Sequence, residues 1–162
     1  MRRILIFGNS ASGKSTLAKQ LSCDQGLAHL DLDTLAWQQS SPPTRKPLDQ
    51  SAKSLKNFMQ SSDNWVIEGC YADLLAIAAP FANEVIFMDL PVSLCIDNAK
   101  NRPWEPHKYT SRQAQDDNLD MLIDWISQYQ QRQDTFSAQS HLNLYDKFAG
   151  KKTRYIDNHR DN

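Results

Sequence analysis

The octapeptide that begins at Gly8 constrains the fold of this chain more than any other feature. It reads Gly-Asn-Ser-Ala-Ser-Gly-Lys-Ser and matches the pattern G-x-x-x-x-G-K-[ST] at every fixed position. A short apolar run, residues 4–7, precedes it, and Leu17, Ala18 and Leu21 share one helical face after it. The predicted order is therefore a buried strand, a tight glycine-bearing loop and a helix. This order is typical of a parallel α/β sheet.

The chemistry of this loop predicts that it binds the phosphates of a nucleoside triphosphate, specifically ATP with Mg²⁺. Glycines let the backbone curl so that successive N–H groups point at phosphate oxygens, and the helix adds its positive N-terminal end. Lys14 would meet the β- and γ-phosphates, and Ser15 would bind the metal ion. A loop of this pattern that no longer binds a nucleotide is the alternative. The predicted phosphate-binding residues are Gly8, Asn9, Ser10, Ala11, Ser12, Gly13, Lys14, Ser15 and Thr16.

Strand and helix patterns alternate along the rest of the chain. Apolar runs predict strands over residues 4–7, 28–32, 65–67, 84–89 and 153–156. Apolar residues at helical spacing predict helices over 14–22, 48–61, 72–79, from Pro91 onward, and over 113–137. This alternation indicates a three-layer α/β fold, with helices on both faces of a parallel sheet. The length fits a single domain spanning residues 1–162, and ligands of such sheets bind beyond the carboxyl ends of the strands.

Acidic residues follow three of the predicted strands. Asp31 and Asp33 are expected to point the same way along an extended segment. One could then hold Mg²⁺, while the other could orient or deprotonate an acceptor hydroxyl; a turn or a helix cap is the alternative for this pair. Glu68 ends another strand, at a position suited to a metal-binding acid. The candidate metal ligands are therefore Ser15, Asp31 and Glu68, and Asp89 is either a further acid of this kind or a helix cap.

A basic segment follows the fourth predicted strand and its helix. It contains one acidic residue, Glu105, and five basic residues, which are Lys100, Arg102, His107, Lys108 and Arg112. Phosphoryl transfer needs positive charge near the breaking bond, and guanidinium groups bind phosphate oxygens bidentately. Arg102 and Arg112 are therefore candidate catalytic residues together with Lys14 and Asp33, whereas His107 is interpreted as a bystander. A solvated basic loop is the alternative for this segment.

Aromatic side chains near these motifs could form a pocket for a phosphoryl acceptor. The candidates are Trp37, Tyr71, Trp104 and Tyr109, whereas Trp125 is interpreted as core packing. The basic stretch 151–154 is interpreted as a solvated turn, with contact to adenine as the alternative.

Charge, cysteine content and hydropathy argue against several classes of protein. The net charge of −1 argues against a chain that coats nucleic acid or an anionic membrane. The three cysteines form no CxxC pair, which argues against a zinc site and a disulfide framework. No segment approaches the roughly 18 apolar residues of a membrane span. We therefore expect a cytoplasmic protein, a monomer or weak dimer, whose partner is a small-molecule acceptor rather than a membrane or nucleic acid.

In the order and spacing of these motifs the chain resembles the adenylate-kinase-like branch of the P-loop kinases, which includes shikimate and gluconate kinases. It is particularly similar to the small kinases known as topology-modulation or adenylate-kinase-related proteins. The resemblance rests on the P-loop and on residues 29–33, 65–69 and 88–91. It implies a P-loop NTPase fold with a five-stranded parallel sheet of order 2-3-1-4-5, a lid at about residues 101–112, and ATP with Mg²⁺ as cofactors.

The chain departs from adenylate kinases at positions that grip a nucleoside monophosphate. Those enzymes carry an arginine after the acid–glycine pair and another after the second strand, and neither is present after Glu68-Gly69 or Asp33. Asn98 also stands where such kinases often carry an arginine that stacks on adenine. The pair Asp31 and Asp33 is similar to that of shikimate kinases, whose acceptor is a hydroxyl on an unphosphorylated small molecule.

Three functional hypotheses follow from these residues. The first is an ATP-dependent phosphotransferase that acts on a small-molecule hydroxyl held by Asp33. The second is a nucleoside or nucleotide kinase of the adenylate type, which a panel of acceptors would distinguish from the first. The third is a nucleotide-dependent regulatory or nucleic-acid-binding protein, which would hydrolyse the nucleotide slowly and without stimulation by an acceptor.

Overall fold

The computed structural model describes residues 1–40 and 42–159. Its centre is a sheet made of β1 (Arg3–Gly8), β2 (Ala28–Asp31), β3 (Trp65–Gly69), β4 (Glu84–Met88) and β5 (Lys151–Tyr155). The five strands lie in the order β2-β3-β1-β4-β5, and each neighbouring pair is parallel. The predicted fold class and strand order are therefore confirmed.

Helices lie on both faces of this sheet. They are α1 (Lys14–Gln25), α2 (Asp33–Ala36), α3 (Leu48–Ser61), α4 (Ala72–Ala78), α5 (Val92–Lys100), α6 (Arg112–Ser127) and α7 (Ala138–Lys147), and a 3-10 turn, Ala79–Phe81, continues α4. Among the described residues, no helix combines the length and the apolar character that a membrane crossing requires.

Two apolar cores, one on each face of the sheet, hold the three layers together. Leu5 and Phe7 of β1 pack with residues of α3, α4 and α7. Ile4 and Ile6 of the same strand pack with residues of α1, α5 and α6. Because successive side chains of a strand point to opposite faces, β1 contributes to both cores. A central strand of this kind has a continuous apolar sequence, which is the pattern that predicted it.

The prediction of one helix over residues 113–137 is wrong. α6 ends at Ser127, and α7, which the sequence analysis did not predict, begins after a turn. Ser137 starts this second helix, because its side-chain oxygen accepts a hydrogen bond from the backbone N–H of Ser140 at 3.0 Å.

A series of buried hydrogen bonds explains why the polypeptide turns between α6 and α7 instead of continuing as one helix. His141 of α7 is fully buried, and its Nδ1 lies 2.7 Å from the hydroxyl of Tyr129 in the turn. Its Nε2 lies 2.8 Å from the carbonyl oxygen of Cys70, which follows β3. Buried polar groups need such partners, so these contacts fix the turn against the sheet and outweigh the helix propensity of the glutamine-rich stretch.

Candidate active site

The loop between β1 and α1 curls over the end of the sheet as the motif predicts. Gly8 has φ +154°, and a Cβ atom there would collide with the backbone carbonyl oxygen of Met88. Gly13, directly before α1, has φ +92°. Side chains rarely adopt these backbone angles, so both fixed glycines of the motif are required by the turn itself.

The same loop presents polar groups at the N-terminus of α1. The ammonium group of Lys14 folds back over the loop and donates a hydrogen bond to the carbonyl oxygen of Asn9 at 2.6 Å. The hydroxyl of Ser12 is fully buried and finds no hydrogen-bond partner among the described residues. A helix N-terminus with a nearby lysine favours phosphate, so the geometry fits the predicted binding of a triphosphate.

The candidate metal ligands lie together at the carboxyl ends of the strands. Ser15 Oγ donates a hydrogen bond to Glu68 Oε2 at 2.6 Å, and His29 Nε2 lies 3.1 Å from the same oxygen. Asp31 is the register partner of Glu68 across β2 and β3. Burial, and then the negative charges of Glu68 and Asp33, raise the pKa of Asp31 to about 6.

This concentration of negative charge beside a hydroxyl fits a divalent cation such as Mg²⁺. Among the residues that the structure describes, no three His, Cys, Asp or Glu side chains converge closely enough to hold a metal ion by themselves. Magnesium commonly keeps several waters and binds one or two carboxylates together with substrate phosphates. Ser15, Glu68 and Asp31 could supply the protein's share of such a site.

Asp33 does not lie on an extended segment, contrary to the expectation for the acidic pair. It begins α2, and its backbone N–H donates to the Oδ1 of Asp31 at 2.9 Å. Asp31 thus caps the turn into α2, which is the alternative that the sequence left open for it. Asp31 lies beside Glu68 in the sheet and Asp33 lies in the helical turn that follows, and both residues line a cavity.

Both oxygens of the Asp33 carboxylate have partners. Oδ1 accepts a short hydrogen bond from the hydroxyl of Tyr71, and that hydroxyl accepts one from Trp37 Nε1 at 2.7 Å. Oδ2 lies 3.6 Å from the ammonium group of Lys108. Burial, and then the charge of Asp33, raise the pKa of Tyr71, so its hydroxyl stays protonated and remains a donor. One carboxylate oxygen is therefore held by a hydrogen bond, and the other lies near the ammonium group of Lys108.

A cavity of about 460 Å³ opens beside Asp33. It extends from Ser10 of the P-loop to aromatic residues of the α6–α7 region, so it connects the phosphate-binding loop with a possible acceptor pocket. Its lining residues are Ser10, Asp31, Asp33, Thr34, Trp37, Cys70, Tyr71, His107, Lys108, Leu122, Trp125 and Phe136.

Only some of the aromatic residues that were predicted to form the acceptor pocket line this cavity. Trp37 and Tyr71 line it, as expected, whereas Trp104 and Tyr109 are not among its lining residues. Trp125 also lines it and keeps 36% of its surface exposed, so its interpretation as core packing is wrong. It lies in the last turn of α6, and its ring packs edge-on against Phe136, which follows in the segment before α7.

The basic segment between α5 and α6 contributes Lys108 to the cavity. Burial acts to lower the pKa of Lys108, but the carboxylates of Asp33, Asp31 and Glu105 outweigh it and raise the pKa. His107, interpreted as a bystander, also lines the cavity.

The two arginines predicted as catalytic lie outside the cavity lining. The Nε of Arg102 is 3.2 Å from a carboxylate oxygen of Glu105. Arg112 is exposed at the first residue of α6. The basic residues of this segment that line the cavity are thus Lys108 and His107, and the catalytic role of the two arginines stays a prediction.

Asp89 and Asn98 serve the framework around the nucleotide loop. Asp89 accepts a hydrogen bond from Arg154 Nε at 2.8 Å, and its side chain does not cap α5. The stretch 151–154 belongs to β5 rather than to a turn. Asn98 donates to the carbonyl oxygen of Ala11 and to Asn158 Oδ1, both at 2.9 Å. The Asn98 amide therefore supports the backbone of the P-loop at Ala11.

Comparisons with known proteins agree with this architecture. A sugar kinase from Janibacter sp. HTCC2649 is 12% identical, with 96% of this chain and 85% of that chain covered and a TM-score of 0.54. A gluconokinase from Sinorhizobium meliloti 1021 is 15% identical, with 98% of this chain and 84% of that chain covered and a TM-score of 0.54. A shikimate kinase from Aquifex aeolicus vf5 is 18% identical, with 99% of this chain and 89% of that chain covered and a TM-score of 0.52.

At these identities the likeness shows a shared fold, which is the predicted P-loop NTPase fold. No curated protein matches the sequence. A family model described as "AAA domain" matches residues 4–123, which is more than half of the 162 residues. The chain therefore belongs to the AAA domain family of P-loop proteins.

Proposed function

We propose that the protein transfers the γ-phosphoryl group of ATP to a hydroxyl group of a small molecule. The observation that carries the proposal is the Asp33 carboxylate, whose Oδ1 is held by Tyr71 while Oδ2 faces the cavity that begins at the P-loop. A carboxylate in this position can accept the proton of an acceptor hydroxyl within hydrogen-bond reach.

The nucleotide would be held by the loop from Gly8 to Thr16, with the Lys14 ammonium moving from the Asn9 carbonyl to the β- and γ-phosphates. Bound Mg²⁺ would neutralise charge on the phosphate oxygens. Ser15 and Glu68 would hold the ion, and Asp31 would support it as a further acid beside Glu68.

In the transfer step the acceptor oxygen would form a bond to the γ-phosphorus while the bond to the β–γ bridging oxygen breaks. ADP leaves, and the hydroxyl proton passes to Asp33 Oδ2. Lys108 lies 3.6 Å from that oxygen and could turn to the γ-phosphate once the nucleotide is bound. Arg102 and Arg112 would reach the phosphates only if the segment 101–112 closes as a lid, so we assign them the same stabilising role after closure.

A hydroxyl acceptor is favoured over a nucleoside monophosphate because Arg45, whose guanidinium contacts the Tyr71 ring, is paired with an acid. Arg45 Nη2 lies 3.2 Å from Asp73 Oδ2, and its guanidinium lies over the ring of Tyr71. Asp33 itself would repel a phosphate dianion. The net charge of −1 argues against nucleic-acid and anionic-membrane partners. We further propose that the protein is cytoplasmic and is a monomer or weak dimer.

The proposal is tested by measuring ADP release in a coupled assay over a panel of hydroxyl compounds and nucleoside monophosphates. We expect some hydroxyl compounds to stimulate ADP release at least tenfold over the rate without acceptor, and AMP, CMP, GMP and UMP to stimulate it less. Stimulation by a nucleoside monophosphate alone would instead favour an adenylate-type kinase. A rate that no acceptor raises would favour a nucleotide-dependent regulatory protein.

A further inference from the structure

Four aromatic rings form a continuous wall along one side of the cavity beside Asp33. Trp37 and Tyr71 have ring centres 6.4 Å apart at an interplanar angle of 68°, and Tyr71 and Phe136 have centres 5.3 Å apart at 72°. Phe136 and Trp125 follow at 5.4 Å and 67°. Edge-to-face pairs at these distances are favourable arrangements of aromatic rings. The four residues, called the aromatic wall below, thus support one another along their length.

Two arginines hold the aromatic wall in place. The guanidinium carbon of Arg45 lies 4.9 Å from the ring centre of Tyr71 and 5.8 Å from that of Phe136. The guanidinium carbon of Arg132 lies 3.3 Å from the ring centre of Trp125. A cation over an aromatic face is attracted by the ring, so these contacts restrict the wall without placing either arginine in the cavity lining.

The two arginines are also neutralised by acids. Arg45 pairs with Asp73 at 3.2 Å, and Arg132 Nη1 lies 3.6 Å from Asp134 Oδ2. Each guanidinium charge is therefore compensated by an acid, and neither arginine lines the cavity; the buried Nε of Arg45 has no hydrogen-bond partner among the described residues. In many phosphate and carboxylate sites a bidentate arginine performs that task.

The remaining charges in the cavity also disfavour an anion. Of the described residues that line it, the basic ones are Lys108 and His107, and the acidic ones are Asp31 and Asp33. Lys108 is shared between Asp33 at 3.6 Å and Glu105 at 3.8 Å. An anionic acceptor would meet two carboxylates and a lysine that is already paired, so its charge would be poorly compensated.

We propose that the acceptor is an uncharged ring compound that carries a hydroxyl group. Its ring face lies against the aromatic wall, and its hydroxyl reaches Asp33. This inference rests on the proposed phosphotransferase function, because it assigns the cavity to the acceptor. Nucleosides and cyclic polyols share this chemistry: both combine a ring with an apolar face and hydroxyl groups without net charge.

Direct binding tests the inference without requiring turnover. The nucleotide site is filled with a non-hydrolysable ATP analogue and Mg²⁺, and calorimetric titration then measures the binding of uridine, methyl glucoside and their anionic counterparts UMP and methyl glucuronide. We expect uridine or methyl glucoside to bind at least tenfold more tightly than its anionic counterpart. The uncharged probe that binds more tightly shows whether the acceptor is a nucleoside or a cyclic polyol.

Variants of the aromatic wall make the test specific. Trp125→Leu, at a ring that is 36% exposed, should weaken the binding of the uncharged probe at least tenfold, and Trp125→Phe should restore part of the affinity. Met121→Ala, one helical turn earlier on α6 and highly exposed outside the cavity lining, is the matched control and should bind as the wild type does. All three variants should keep wild-type affinity for the ATP analogue.

Three results would overturn the inference. These are equal or tighter binding of the anionic counterpart, wild-type affinity in Trp125→Leu, or no binding of either uncharged probe at millimolar concentration. A failure of the proposed function is seen separately, as loss of ATP-analogue binding in the first titration or as absence of ADP release when a bound acceptor is offered with ATP.

Discussion

Replacing Tyr71 with phenylalanine removes a single oxygen atom and tests whether the orientation of Asp33 matters for the reaction. Tyr71 is 2% exposed, so the ring should keep its place in the core. The lost hydroxyl donates to Asp33 Oδ1 and accepts from Trp37 Nε1. The variant therefore leaves the carboxylate chemically intact but free to rotate.

The expected cost to stability is small, because water can reach both former partners. A hydrogen bond to a charged group is worth roughly 1.5–3 kcal/mol, but the Asp33 side chain is 46% exposed and Trp37 is 38% exposed. Solvent replaces much of the lost interaction at such sites. We therefore expect a loss of about 1 kcal/mol, which corresponds to a decrease in Tm of roughly 2–4 °C for a protein of this size.

The expected cost to catalysis is larger. A positioned base contributes roughly 10²–10⁴-fold, and a base that retains its charge but loses its orientation should forfeit part of that factor. We expect kcat to fall about 10- to 100-fold, equivalent to roughly 1.4–2.7 kcal/mol, with the Kd for ATP unchanged. Steady-state kinetics with the best acceptor of the panel, together with titration of ATP, provide the measurement.

Tyr129→Phe is the matched control for this substitution. Tyr129 is also 2% exposed, and its hydroxyl lies 2.7 Å from His141 Nδ1 rather than beside the cavity. It should lower the Tm at least as much as Tyr71→Phe while leaving kcat close to wild type. Equal losses of kcat in the two variants, or wild-type kcat in Tyr71→Phe, would refute the orienting role of Tyr71.

Three other predictions concern the nucleotide, the lid and pH. Lys14→Ala should weaken ATP binding by about 2–4 kcal/mol, and unchanged affinity in calorimetry would contradict the role of the P-loop. Lys108→Ala should lower kcat at least about tenfold without changing ATP affinity, and more than Arg102→Ala does; the reverse ranking would assign the transition-state charge to Arg102. Burial lowers the pKa of His141 from 6.5 to about 4, so the unfolded state binds more protons between these values. Protonation of His141 in the unfolded state should therefore lower the free energy of unfolding by up to about 3 kcal/mol as pH falls from 6.5 to 4.

The pH prediction is measured as a difference between the wild type and His141→Gln, using chemical denaturation at several pH values. A difference is needed because the pKa of Asp31, raised from 3.8 to about 6, acts in the opposite sense and stabilises the native state as pH falls. The wild type should lose its advantage over the variant towards pH 4. A difference that does not change with pH would contradict the assignment of a buried, neutral His141.

The fold could be predicted from the sequence because its strongest determinants are local. The P-loop favours glycine at Gly8 and Gly13 because both have positive φ angles, which side chains rarely adopt. The central strands are buried on both faces and therefore have continuous apolar sequences, such as residues 4–7. The strand order came from the resemblance to P-loop kinases, because sequence patterns do not specify which strands become neighbours.

The candidate site could be predicted only in part, because several of its contacts depend on tertiary structure. Asp33 could be singled out by its place after a strand. The sequence does not show that it begins a helix or that it binds Tyr71, which is distant in the chain. The place of Lys108 depends on the path of a segment without regular structure. The break after α6 depends on the burial of His141, and without that break Trp125 could not have been assigned to the cavity.

Detection of the phosphorylated product tests the central claim most directly. ³¹P NMR of a reaction with ATP, Mg²⁺ and the best acceptor follows the fate of the γ-phosphoryl group itself. The proposed function predicts a new phosphomonoester resonance that grows as ATP is consumed. That resonance should be absent with Asp33→Asn, which preserves the shape of the side chain and should still bind ATP. Appearance of inorganic phosphate alone, with every acceptor tested, would contradict phosphoryl transfer to a hydroxyl. A phosphomonoester formed equally well by Asp33→Asn would contradict the role of Asp33.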